Sequence, residues 1–345
     1  MSMSLVKPLL GFLAARYVYL QYSKVLLHLD TPLPLRVAVH TSFVLAVLLG
    51  VLYLKQEALL YVPEMPGPSG IKMVTPADNP RGMRSPKDHD LPFTNLKLRC
   101  SDGVLVHAWF IPAPAAAASA PTLLFSHENA GNVGLRLHEF VAWHHKLGAN
   151  VLAYDYRGYG FSDRAAINEE GLMRDARAAW RWVEKAAADG LIDPAKVFLY
   201  GRSLGGAVTI QLAAELCAAR ASGAASLLPA GVIASNTFTS IEDMLGAVYP
   251  WLNWQFVRRW LLRLKWRSIE HIRQVRLPIL FIRGLQDEIV PADHTLRLRD
   301  AAEAATSVQV HTVPDGTHND TWLKAGEDYF AWLRSFMQEA GSRQR

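Results

Sequence analysis

Ser203 sits at the centre of Gly201-Arg202-Ser203-Leu204-Gly205. A serine hydroxyl is a weak nucleophile, and it needs a base to take its proton and a third group to orient that base. The two glycines permit a tight turn without side-chain clashes, so the hydroxyl can project from the end of a strand. Further along the chain come a carboxylate pair, Asp287-Glu288, and a histidine, His318. The order serine, acid, histidine suits attack of a hydroxyl on a carbonyl carbon. Asp287 is the expected acid and Glu288 its local rival, because the turn geometry must select one. His318 is the expected base.

Attack on a carbonyl creates an oxyanion, which needs two convergent donors. The amide of Leu204, directly after the serine, supplies the first. The second is expected from the loop His127-Glu128-Asn129-Ala130-Gly131-Asn132, with the Asn129 amide preferred and the Glu128 amide as the alternative. Asp155-Tyr156-Arg157-Gly158-Tyr159-Gly160 ends another strand and either shapes the neighbouring loops or is a structural turn.

These residues must ride on something rigid. Val197 to Tyr200 reads as a strand running into the serine turn, and Gly206 to Ile210 as the small-residue helix leaving it. Thr122 to Ser126 and Val151 to Asp155 are continuous apolar runs of the kind found in buried parallel strands. Val232 to Ala234, Ile279 to Ile282 and Val308 to His311 supply three more. Helical patterns lie between them, with Leu137, Phe140, Val141 and Leu147 on one, Leu172, Ala176, Ala179 and Val183 on another, and a closing helix carrying Tyr329, Phe330, Leu333 and Phe336. Asn95 to Cys100 and Val104 to Ile111 flank Ser101-Asp102-Gly103 and predict a hairpin. Strands alternating with helices predict an α/β fold with a mostly parallel sheet covered on both faces. Each candidate site residue then falls in a loop at a strand's carboxyl end. Residues 236–276 leave the sheet and return, carrying Met244, Tyr249, Trp251, Trp254, Phe256, Trp260 and Trp266 among the basic residues Arg258, Arg259, Arg263, Lys265 and Arg267. They predict a small helical cap that lines an acyl pocket and faces lipid headgroups, or that packs onto the core.

The N-terminal third is different. From Val37 to Leu54 the chain is uncharged and apolar, long enough to span a bilayer. The stretch around Leu9 to Tyr22 is broken by Arg16 and suits an interfacial helix better than a span. Lys7, Arg16, Lys24 and Arg36 precede the main run and only Lys55 and Lys72 follow nearby, which favours a cytoplasmic N-terminus and a type II arrangement. The expected organisation is an N-terminal segment over 1–36, an anchor over 37–54, a proline-rich linker or overlying irregular chain over 55–92, and the catalytic domain over 93–340.

With half of its 345 residues hydrophobic the chain can bury a large core, and its net charge of +5, spread over that length, argues for no nucleic-acid partner. Its two cysteines, Cys100 and Cys217, form no readable disulfide framework. His138, Glu139, His144 and His145 lack the spacing of a helical zinc site, and no metal or cofactor is expected. The sequon Asn319-Asp320-Thr321 abuts His318, where a glycan would block the site.

Taken together, Leu60-Tyr61-Val62-Pro63, the His127 to Asn132 loop, Asp155 to Gly160, Gly201 to Gly206 and Pro314 to Trp322 resemble the α/β-hydrolase domain-containing protein 13 branch of the α/β-hydrolase superfamily. The resemblance covers about residue 59 to the C-terminus. It implies an α/β-hydrolase fold, a Ser203, Asp287, His318 triad and a membrane-bound serine hydrolase acting on acyl esters or thioesters of lipids or acylated proteins. The alternatives are a serine peptidase of related fold and a catalytically silent membrane-tethered interaction protein. One position departs from the pattern: Glu128 stands where relatives carry glycine, and is expected to crowd or charge the second donor.

Overall fold

The computed structural model describes residues 32–70, 72–225, 227–248 and 262–342. The stretch around Leu9 to Tyr22, and Tyr249, Trp251, Trp254, Phe256, Arg258, Arg259 and Trp260 of the expected cap, lie outside them.

Short apolar runs rich in β-branched and aromatic residues become one eight-stranded sheet. Its strands are β1 (Thr94–Arg99), β2 (Leu105–Ile111), β3 (Thr122–Ser126), β4 (Asn150–Tyr154), β5 (Val197–Arg202), β6 (Gly231–Ser235), β7 (Pro278–Gly284) and β8 (Ser307–Val313). Across the sheet they lie in the order β8-β7-β6-β5-β3-β4-β2-β1. The hairpin β1–β2 is antiparallel, with Arg99 opposite Leu105, and β2 is antiparallel to β4. All other pairings are parallel, because a helix carries the chain back between successive strands.

The side-chain period of two sorts each strand between two cores. On β3, Leu124 packs in a cluster with Leu199, Val208 and Val183, whereas Leu123 and Phe125 join Phe140, Trp143 and Leu333 on the opposite face. The first face is covered by α3 (Glu169–Ala188) and α4 (Leu204–Ala221), the second by α2 (Leu137–Ala142) and α9 (Glu327–Ser342). Asn168 caps α3 by accepting from the Gly171 amide, with Glu169 and Glu170 favourably placed in its first turn. The remaining short helices are α5 (Ile241–Val248), α6 (Ser268–His271), α7 (Asp293–Ala301) and α8 (Thr321–Ala325). Of the cap, the described part is α5, the irregular return through Lys265 and Trp266, and α6.

The chain divides into two compact units, 1–55 and 56–345. The described part of the first unit is helical: α1 spans Leu33–Leu60, its last turn belonging to the second unit. At 1.5 Å per residue its 28 residues extend about 42 Å, more than the roughly 30 Å of a bilayer's hydrocarbon core. Its most apolar window has mean hydropathy 2.2 and none of that window is buried in the protein. Val44 and Leu48, each more than half exposed, need an apolar surrounding that water does not provide. One N-terminal helix is therefore long and apolar enough to cross a membrane.

The second unit begins at Gln56, upstream of the catalytic domain expected over 93–340. Tyr61, Met73, Pro76, Asn79, Pro86 and Leu91 are all buried, so the proline-rich stretch lies on the domain as irregular chain. It contains a short ribbon pairing Met65–Pro66 with Lys72–Met73. Asn79 is its deepest polar anchor, donating to the Asn132 side chain at 2.8 Å and to the Met83 carbonyl. Prolines remove donors from this stretch, and side-chain bonds of this kind take the place of a ladder.

Candidate active site

Ser203 occupies the turn between β5 and α4 with φ 53° and ψ −121°, a left-handed conformation that is strained for a residue with a side chain. The surrounding backbone leaves little choice. A Cβ on Gly201 would lie 2.1 Å from the Gly205 carbonyl oxygen, and one on Gly205 would lie 1.9 Å from that of Ser126. The second contact presses the start of α4 against the loop after β3. The Ser203 amide donates to Ser235 at 3.0 Å, and the Thr237 hydroxyl donates to the Ser203 carbonyl at 2.8 Å. Leu204 opens α4, so its amide is among those a helix leaves without an internal partner.

The acid and the histidine arrive on the loops after β7 and β8. His318 Nδ1 lies 2.8 Å from Asp287 Oδ2 and 3.0 Å from Oδ1, with both side chains almost fully buried. Asp287 Oδ1 also accepts from the amides of Ile289 and Val290, which fixes the carboxylate's orientation. Glu288 does not compete for the ring. Its carboxylate accepts instead from the His318 backbone amide at 3.2 Å. No hydrogen bond joins the Ser203 hydroxyl to His318 among the described residues. Nδ1 is engaged by Asp287, which leaves Nε2 as the ring nitrogen outside that pair.

One residue that sequence reasoning missed holds these loops together. Asn236, just after β6, donates from Nδ2 to the carbonyl of His318 at 2.9 Å and to the Thr321 hydroxyl, and its Oδ1 accepts from Gly284 at 3.0 Å. It has φ 46°, a region asparagine tolerates better than most residues. With Ser235 and Thr237 on the Ser203 backbone, the end of β6 braces the Ser203 turn and the loops that carry Asp287 and His318. An asparagine directly after an apolar strand was the only signal available in the sequence.

The loop after β3 is equally pinned. The buried His127 ring lies 2.7 Å from the Glu128 carbonyl, and the Tyr156 hydroxyl donates to the His127 carbonyl. Burial lowers the pKa of His127 to about 4, so the ring is neutral at pH 7. The Asn129 carbonyl accepts from Tyr159 at 2.8 Å and from the Val62 amide at 2.9 Å. Asp155 Oδ1 accepts from Val133, so the strand-end motif that carries it supports this loop.

Glu128 is buried, and its charge is matched rather than left facing the site. Arg136 Nε donates to Oε2 at 2.6 Å, and Arg202, the residue before the serine, donates to Oε1 at 3.1 Å. Burial by itself would raise the carboxyl's pKa, but the two guanidinium groups outweigh it and hold it at about 2. Arg202 also pairs with buried Glu139, which in turn accepts from the Tyr329 hydroxyl at 3.0 Å. Glu139 shifts the other way, because its desolvation exceeds the compensation it receives. Glu128, Arg136, Arg202 and Glu139 line a cavity of 590 Å³ with Asn319 and Trp322. Among the described residues no group of three or more histidine, cysteine or acidic side chains is placed to hold a metal ion, and Cys100 and Cys217 are both buried thiols.

A model of the prolyl oligopeptidase family matches residues 136–340. Over 301 residues the chain is 36% identical to the α/β hydrolase domain-containing protein WAV2 of Arabidopsis thaliana, covering 84% of this chain and 90% of WAV2. It is 33% identical over 296 residues to the protein bem46 of Schizosaccharomyces pombe, covering 84% of this chain and 88% of bem46. Among solved structures, the esterase Pf2001 of Pyrococcus furiosus superposes with a TM-score of 0.58 at 17% identity, over 74% of this chain and 95% of the esterase.

Proposed function

The chain belongs to the prolyl oligopeptidase family of α/β-hydrolases, and we propose that it is a membrane-anchored serine hydrolase cleaving acyl esters or thioesters through an acyl-enzyme on Ser203. The observation that carries this reading is the Asp287–His318 pair, at 2.8 Å, on the same sheet edge as a serine held in a strained turn.

In this mechanism Asp287 holds the imidazole with Nε2 free to act and stabilises the cation that forms on it. His318 takes the Ser203 proton as Oγ bonds to the substrate's carbonyl carbon. The negative charge moves to the carbonyl oxygen, where the amides of Leu204 and Asn129 receive it, with the Glu128 amide as the alternative second donor. Collapse breaks the bond to the alcohol or thiol, which leaves with the proton from His318. Water then repeats the sequence on the acyl-serine and releases the acid. Membership of a family named for a peptidase is an argument from fold and does not favour amide over ester substrates. The apolar helix α1 supports an acyl substrate presented at a lipid surface, with a cytoplasmic N-terminus and the catalytic unit on the other side.

A fluorophosphonate probe is expected to label the purified protein at Ser203 and to leave Ser203→Ala unlabelled. Labelling elsewhere, or none on folded protein, defeats the enzyme reading. A panel of acyl esters, thioesters and peptides then decides the substrate class: cleavage of peptides alone overturns the ester reading. Digestion of the catalytic unit by protease added outside sealed vesicles that preserve the cytoplasmic face outward would overturn the orientation.

A further inference from the structure

All three arms of the Asn129 Cα are fixed, and two of them are held by residues at the end of α1. The upstream peptide is fixed by the His127 ring on the Glu128 carbonyl at 2.7 Å. The downstream carbonyl accepts from the Val62 amide at 2.9 Å and from Tyr159 at 2.8 Å. The side chain donates from Nδ2 to the Leu60 carbonyl at 2.8 Å. Val62 returns a second backbone bond, accepting from Gly131 at 2.9 Å, so that Val62 and Ala130 form a parallel bridge. Because a peptide is planar and trans, holding its carbonyl fixes the direction of its N–H. The Asn129 amide is thus aimed by its surroundings.

The same segment also reaches the cap. The Tyr61 hydroxyl accepts from Trp266 Nε1 at 3.0 Å, the Gln56 side chain accepts from the Arg263 amide at 2.8 Å, and Glu57 pairs with Arg263. Tyr61 is buried. Residues 56–62 are therefore a wall of the catalytic unit, shared by the oxyanion loop and the cap.

We propose that the segment Leu60-Tyr61-Val62, together with the Asn129 side chain and Tyr159, forms a positioning element for the oxyanion hole, so that turnover depends on this segment remaining docked. The inference rests on the assignment of the Asn129 amide as a donor to the oxyanion. Misplacing a donor by about 1 Å costs on the order of 100-fold in rate, and nearly all of it falls on the chemical step.

The test uses full-length protein in detergent micelles with p-nitrophenyl butyrate as substrate. Asn129→Asp keeps the shape of the side chain but sets a carboxylate against the Leu60 carbonyl, and Tyr159→Phe removes one donor to the Asn129 carbonyl at lower risk to folding. Both are expected to lower kcat by about 10- to 100-fold, with KM changed less than about threefold. Deuterium uptake is expected to rise together in peptides covering 58–64 and 127–133, since opening one partner releases the other. Unchanged kcat in both variants, with Ser203 still labelled by fluorophosphonate, overturns the positioning role and leaves the hydrolase reading standing. Full turnover in Ser203→Ala overturns the hydrolase reading and this inference with it. A rise confined to 127–133 overturns the coupling to the end of α1.

Discussion

Arg202, the residue before the candidate nucleophile, donates to the carboxylate of Glu128 on the loop after β3 at 3.1 Å, with both side chains about 5% exposed. Elbow and loop are thereby joined by an ion pair as well as by the contact of Gly205 with Ser126. The expected intrusion of Glu128 on the site takes a different form: the carboxylate is neutralised by Arg202 and Arg136 and becomes part of the scaffold.

Glu128→Gln should therefore act on stability. Removing the Glu128 charge leaves Arg136 without its carboxylate and Arg202 with Glu139 alone, and costs about 3 kcal/mol. Urea unfolding followed by tryptophan fluorescence measures it. A loss under about 0.5 kcal/mol would show that the pair is not coupled to the fold.

The two neighbouring carboxylates should separate cleanly in kinetics. Asp287→Asn removes the acceptor that orients the His318 ring, and kcat should fall by about 10³- to 10⁴-fold. Glu288→Gln keeps an oxygen that can accept from the His318 backbone amide and removes only the charge, so kcat should stay within about threefold. Equal losses would reverse the assignment.

Stability should fall on acidification in two stages. His127 titrates at about 4 in the folded protein because burial disfavours its charged form, against 6.5 when unfolded. The unfolded chain therefore binds the proton first. Stability present above pH 6.5 is lost as pH falls toward 4, by at most about 3 kcal/mol at 1.36 kcal/mol per unit. Glu128, held at about 2 against 4.5, adds a second loss as pH falls from 4.5 toward 2. Glu139 works against that second stage, since its raised pKa favours the folded state on protonation. Unfolding measured at pH 7 and pH 4.5 in wild type and in His127→Gln checks the first stage: the variant should lose a measurable part of the difference, the rest coming from His144, His294 and His311, whose pKa values burial also lowers.

Gly205→Ala tests how tightly elbow and loop are packed. The added Cβ would meet the Ser126 carbonyl oxygen at 1.9 Å, and the clash is with backbone, which cannot swing aside. The variant should yield little folded protein, and what folds should lack fluorophosphonate labelling. Wild-type yield and labelling would show that the two segments are not in contact.

The candidate site was legible in the sequence where it followed the chain. Glycines flanking Ser203, a carboxylate after one apolar run and a histidine after another could be read in order, and parallel strands announce themselves as unbroken apolar runs. The Asp-Gly hairpin was equally plain, although Asp102 also accepts from Arg157 at 2.7 Å and so does more than turn the chain. What could not be read was whatever depends on distant residues meeting. Glu128 and Arg202 are 74 residues apart, and Asn129 meets Leu60 across 69. No local periodicity encodes such pairs. The proline-rich stretch could be read only as a linker or as overlying irregular chain, because prolines suppress regular structure; Asn79 and Tyr61 tie it down through side chains that no repeating pattern encodes.

The strand order sets the sequence of events when the protein is heated. β5, which delivers Ser203, is laddered on both sides, by β3 and β6, whereas β8, which leads to His318, has a single neighbour and is only half-buried along most of its length. An edge strand of this kind opens at lower free energy than a central one. Fraying of β8 displaces His318 while the serine turn is still intact, so on the proposed mechanism thermal inactivation should run ahead of global unfolding. An assay of residual activity would then report on the last strand of the sheet and not on the cooperative core.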